Sequence, residues 1–125
     1  MKVAGIGCRR GVPTTDVVSA VRLAASQVEG ALDALATTRE KISEEGVIAA
    51  ATLLGLPLLC AEDAALSDVA DKAVTRSARV LALKGLPSIA ETVALAAAGP
   101  GARIIVPRVV AGAATCAIAA GELPA

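Results

Sequence analysis

The stretch Gly5-Ile-Gly-Cys-Arg-Arg-Gly11 sets glycines, a thiol and two guanidinium groups side by side, and further along stand Thr37, Thr38, Arg39, Lys41, Glu44, Ser88, Glu91 and Arg108. Guanidinium and ammonium groups next to free backbone N–H donors suit carboxylates or phosphates. Cys8, flanked by arginines and ahead of a helix start, could act as a thiolate, or it could be a small residue that fits a crowded strand end. Arg9 and Arg10 either contact a ligand or simply face solvent. The chain has no histidine. That excludes Ser-His and Cys-His nucleophilic pairs and imidazole metal ligands, so any proton transfer falls to carboxylates, lysine, a thiol or water, with Cys8, Lys41, Glu44 and Glu91 as the candidates. No metal site and no cofactor is expected.

Spacing narrows the chemistry further. The glycines run G-x-G-x-x-x-G, one residue longer than the dinucleotide fingerprint, and the second strand ends in Thr-Thr-Arg where an acidic residue would hold a ribose. The GK[ST] ending of a phosphate-binding P-loop is absent. The three cysteines, Cys8, Cys60 and Cys116, follow no metal-ligand spacing and are expected as reduced thiols, the last two in the core.

The elements that must position these groups follow from pattern. Lys2 to Gly7 reads as a buried strand. A loop through Pro13 leads to a helix capped by Thr14 or Thr15, with Asp16 favoured in its first turn, an apolar stripe at Val17, Val21, Ala24 or Ala25, and Val28, and a stop at Gly30. Ala31 to Thr37 is a second strand. The next helix has two candidate starts, Thr37 through a capping box with Glu40, or Ser43. The Ser43 start, ending at Gly55, is preferred because the earlier one sets Gly46 deep in the helix, where it costs about 1 kcal/mol relative to Ala. Leu56 to Cys60 resembles a third strand, and Glu62 to Lys84 is mostly helical or irregular, broken near Thr75 to Ser77 and stopped by Gly85 and Pro87. Ser88 with Glu91 forms a capping box for a helix over Ile89 to Ala98, and Arg103 to Val110 with Ala114 to Ala119 form an antiparallel hairpin. Strand–helix alternation followed by a hairpin predicts a three-layer α/β/α sandwich around a mixed sheet of about five strands, a single domain over 1–125. Ligands of open α/β sheets sit beyond the carboxyl ends of the parallel strands, where Cys8, Arg9, Arg10, Thr37, Thr38, Arg39 and Lys41 arrive.

Composition removes other classes. Twelve basic residues balance twelve acidic ones and there is no Phe, Tyr or Trp, so neither a global positive field nor stacking platforms exist for nucleic acid. The longest apolar run, Val109 to Gly121, falls short of the roughly 20 residues of a membrane-spanning helix. A strand that begins at Lys2 or Val3 leaves no room for a signal peptide, and a cytoplasmic location is the expectation. The core must be built from aliphatic residues and alanine, which lets helices approach closely.

Several strings, in order along the chain, resemble one family: Gly5 to Gly11, Leu35-Ala-Thr37 with Lys41, Glu44 and Gly46, Leu54-Gly-Leu-Pro-Leu58, Gly85-Leu-Pro-Ser88 with Ala90 and Glu91, and Thr115-Cys-Ala-Ile-Ala119. They are similar to the CobE proteins and the C-terminal domain of CbiG in cobalamin (vitamin B12) biosynthesis. The resemblance implies a compact α/β/α domain and a corrinoid or precorrin ligand. In the fused CbiG proteins this domain accompanies opening of a ring lactone on cobalt-precorrin. It therefore implies three alternatives: a stand-alone carrier or accessory, a catalyst akin to the cobalt-precorrin-5A hydrolase, or a subunit that docks on a pathway methyltransferase. The residues expected at the ligand are Gly7, Cys8, Arg9, Arg10, Thr37, Lys41, Glu44, Ser88, Glu91 and Arg108. Two positions depart from the family pattern: Arg108 stands where a lysine is expected, and Glu45 where a proline follows Glu44.

Overall fold

A computed structural model describes residues 1–73 and 88–121. The elements are β1 (Lys2–Cys8), α1 (Thr14–Ala25), β2 (Ala34–Thr38), α2 (Glu45–Leu54), β3 (Leu58–Ala61), α3 (Asp63–Val69) with a short 3-10 turn (Ala70–Lys72), α4 (Ile89–Ala98), β4 (Arg103–Ala111) and β5 (Ala114–Ala120). The expected break at Thr75 to Ser77 and the Gly85-Pro87 stop lie outside the described residues.

One five-stranded sheet runs in the order β3-β2-β1-β5-β4. β1, β2 and β3 are parallel, whereas β5 is antiparallel to both β1 and β4, so the hairpin closes the sheet as expected. β1 is central and covered on both faces, which is why Val3 to Gly7 is buried without the polar alternation of a half-exposed strand. Ala4, Ile6, Leu35, Cys116 and Ile118 pack with α1 and α2, and Val3, Ala34, Ala36 and Ala119 pack with α3 and α4. These two cores give the three layers.

The aliphatic composition shows most plainly at the seam between β1 and α4. A Cβ at Gly5 would lie 2.1 Å from the Ala90 carbonyl oxygen, 2.6 Å from Ala94 N and 2.9 Å from Ala94 Cβ. Glycine on the strand and alanine on the helix thus bring the two backbones into direct contact.

Boundaries shift where side chains compete with the backbone pattern. β2 starts at Ala34 instead of Ala31 because Asp33 accepts the Lys2 amide through its carboxylate at 2.7 Å and donates its own N–H to the Lys2 carbonyl. α1 is capped by Pro13, whose carbonyl accepts from Asp16 and Val17, and Thr14 lies inside the helix. The helix ends at Ala25 and tightens through Gln27 N–H to Ala24 O and Val28 N–H to Ala25 O before Gly30 is reached. α2 is capped by Glu44, one residue past the preferred Ser43. β3 is displaced toward Ala61, and as an edge strand it leaves Cys60 exposed, contrary to the expectation of a core cysteine. Cys116 is buried as expected. No helix among the described residues is long and apolar enough to cross a membrane.

Candidate functional site

The carboxyl ends of β1 and β2, the N-termini of α1, α2 and α4, and the tip of the β4–β5 hairpin meet at one edge of the sheet. From β1, Cys8 is half-buried while Arg9, Arg10 and Gly11 are exposed. Their backbone is firmly held. Arg9 N–H donates to Ala113 O (3.1 Å), Val12 N–H to Arg9 O (3.2 Å), and Gly11 N–H to Glu44 Oε1 (2.9 Å). Beyond Arg10, a cleft of about 480 Å³ opens between Arg10–Thr14 and Ser43–Gly46. Gly46 shapes its floor: a Cβ there would sit 2.1 Å from the Val12 carbonyl oxygen, so only glycine lets α2 begin so close to the arginine loop.

The Cys8 thiol is pushed above its ordinary value of 9.0, first by burial; Lys41 lowers it and Glu44 raises it. Burial thus disfavours the thiolate and favours the alternative reading of Cys8 as a small residue at a crowded strand end, with Arg9 and Arg10 exposed to solvent. Cys116, deep in the core, is pushed up to about 12. Lys41 and Glu44 thus both act on the charge of the Cys8 thiol, with opposite sign. Arg39 pairs loosely with Glu62 at 3.9 Å, both exposed.

The remaining candidates fall in other settings. Thr37 is fully buried and its hydroxyl donates to the Ile6 carbonyl at 2.9 Å, tying β2 to β1. Gly7 is buried in the strand, where its carbonyl accepts from the Thr115 hydroxyl at 3.2 Å. Ser88 caps α4, accepting from Glu91 N–H at 3.5 Å, and is fully buried. Glu91 is also fully buried, and its Oε2 accepts the backbone N–H of Arg108 at 2.9 Å. Pro107 and two register shifts let β4 leave its ladder there, which turns the Arg108 amide toward α4. Ser88, Glu91 and the Arg108 amide thus tie α4 to β4.

Pattern reading missed Asp16 and Thr115. Asp16 Oδ2 accepts the Ala113 N–H at 2.9 Å, 97 positions away. First-turn helix position was the only sequence signal for Asp16, and nothing local marks Thr115. Among the described residues no group of three or more His, Cys, Asp or Glu side chains could hold a metal ion. The arrangement offers exposed cations on a fixed backbone, beside a half-buried thiol.

Comparison with known proteins gives a consistent family. The model described as cobalamin synthesis G C-terminus matches residues 2–119. Protein CobE of Sinorhizobium sp is 32% identical over 120 residues, covering 94% of this chain and 78% of that protein. The crystal structure of CobE, a protein from the cobalamin (vitamin B12) biosynthetic pathway, superposes with a TM-score of 0.87 at 31% identity over 100% of this chain and 93% of that one. The cobalamin biosynthesis protein chiG from Agrobacterium tumefaciens superposes with a TM-score of 0.78 at 36% identity, covering 98% and 100%.

Proposed function

Because the chain belongs to the cobalamin synthesis G C-terminal family and so to the cobalamin pathway, we propose that it binds a corrinoid or precorrin intermediate at the Cys8-Arg9-Arg10 edge, as a cytoplasmic carrier or an accessory to a pathway enzyme. One observation carries the reading: Arg9 and Arg10 are exposed, make no ion pair among the described residues, and stand on a loop whose backbone is already fixed. Corrin precursors carry carboxylates around an apolar ring, which guanidinium groups and Lys41 match in charge, with aliphatic surface for the ring face. A nucleophilic role for Cys8 fits less well, since burial pushes its thiol pKa up and disfavours the thiolate.

The test is a visible-absorbance titration of hydrogenobyrinic acid into the wild-type chain and into an Arg9→Ala/Arg10→Ala variant. With no Trp or Tyr, the protein contributes almost nothing near 280 nm and the corrin dominates the spectrum. Two exposed cation–carboxylate contacts at up to about 1 kcal/mol each correspond to an affinity loss of up to about thirtyfold. Equal affinity for both proteins overturns the arginine edge. No binding by wild type overturns the corrinoid reading and leaves docking on a pathway enzyme, to be sought by co-purification with the methyltransferases.

A further inference from the structure

A glycine-containing loop between a strand and a helix N-terminus ordinarily offers its amides to an anion. Here three of those amides, at Arg9, Gly11 and Val12, are already engaged. Glu44 Oε1 takes the Gly11 N–H, Ala113 O takes the Arg9 N–H, and Arg9 O takes the Val12 N–H. The hairpin tip that receives Arg9 is itself fixed, because Asp16 Oδ2 takes the Ala113 N–H. Two acidic side chains, reaching across 33 and 97 positions, thus hold the arginine loop from both sides.

Resting on the binding reading above, we propose that Glu44 and Asp16 are positioning residues that set the specificity of this edge. Glu44 closes the Gly11 amide to a compact anion such as phosphate, Asp16 fixes the hairpin tip that receives the Arg9 amide, and together they hold Arg9 and Arg10 outward for carboxylates spaced around a wide ligand. The edge is then a polycarboxylate receptor that works through side chains, and its glycine loop is no phosphate cradle. A simple electrostatic view predicts the opposite sign for Glu44: removing a negative charge beside an anion site raises anion affinity. The positioning role predicts that removal lowers it, because the loop must then be ordered on binding.

The experiment uses the full chain labelled with nitrogen-15, in wild type and in Glu44→Ala, Glu44→Gln, Asp16→Ala and Asp16→Asn. Three quantities are measured: amide exchange at Arg9, Gly11 and Ala113, affinity for hydrogenobyrinic acid, and the shift of the Gly11 amide with inorganic phosphate. Glu44→Ala is expected to expose Gly11 to faster exchange and to a new phosphate response, and to weaken hydrogenobyrinic acid about tenfold. Glu44→Gln keeps an acceptor oxygen and loses the charge, so exchange stays slow and affinity equals or exceeds that of wild type. Asp16→Ala speeds exchange at Ala113 and Arg9 and weakens binding, and Asp16→Asn restores both. The proposal is overturned if Glu44→Ala binds hydrogenobyrinic acid as tightly as wild type, if the glutamine and asparagine variants fail to rescue, or if wild-type Gly11 already answers to phosphate. Should wild type bind no hydrogenobyrinic acid, the corrinoid reading falls. The exchange and phosphate measurements then still decide whether the two carboxylates close the loop.

Discussion

Replacing Gly5 with alanine tests whether the β1–α4 seam is as tight as its geometry states. The added Cβ meets the Ala90 carbonyl oxygen at 2.1 Å and Ala94 N at 2.6 Å, and both are backbone atoms that no rotamer change can move. An ordinary carbon–oxygen contact needs more than an additional ångström, so α4 must lift from the sheet and loosen Val93, Ala94 and Leu95, which are fully buried. Overpacking of this kind costs about 1–3 kcal/mol, and the backbone clash places it at the upper end. Alanine's smaller unfolded-state entropy returns about 0.5–1 kcal/mol. The net loss is about 2 kcal/mol, which for a chain of this size lowers Tm by roughly 8 °C. Gly55→Ala is the control: nothing lies within 4 Å of its Cβ, and its left-handed φ of 68° costs only about 1 kcal/mol before the same entropy gain. Thermal unfolding is followed by far-ultraviolet circular dichroism, since the chain has no tryptophan or tyrosine fluorescence. A Gly5→Ala protein that melts within about 2 °C of wild type, or above Gly55→Ala, refutes the reasoning.

The three thiols should separate by reactivity. With iodoacetamide at pH 7.5 the exposed Cys60 is modified first, the half-buried Cys8 at least about tenfold more slowly with a rate that climbs past pH 9, and Cys116 only on unfolding; a fast second equivalent in Cys60→Ser contradicts this order. Cys116 also predicts an alkaline stability loss. Its folded pKa of about 12 lies above the ordinary 9.0, so its contribution is complete below pH 9 and is lost as pH rises from 9 to 12, by roughly 4 kcal/mol in all. Urea unfolding at pH 8, 9.5 and 11 should show a steeper decline for wild type than for Cys116→Ala, and parallel declines would rule the account out.

Much of this molecule was legible because alanine, glycine and aliphatic residues leave little ambiguity about what is buried. The order of strands and helices, the hairpin, the Ser88 cap and the strand-end edge all follow from local pattern. What failed depends on distant partners. The Asp33 carboxylate is drawn to the Lys2 amide and delays β2, and only the sheet order shows that β3 is an edge that leaves Cys60 in solvent. Sequence left Cys8 open between a thiolate and a small packing residue, because arginines adjacent in the chain turn to solvent while its thiol is half-buried, which local pattern does not reveal. Asp16 looked like a helix-dipole residue because nothing near it in sequence announces Ala113.

The contact of β1 with α4 has a further consequence for anything flat and wide that the domain binds. Two backbones separated by little more than a glycine and an alanine leave no slot into which a macrocycle could slide between those layers. A ring taken up at the strand-end edge rests on the rim of the domain with one face turned outward. A second protein could take the ring from there without unfolding the first, an arrangement suited to handing over cargo and poorly suited to sealing it from water.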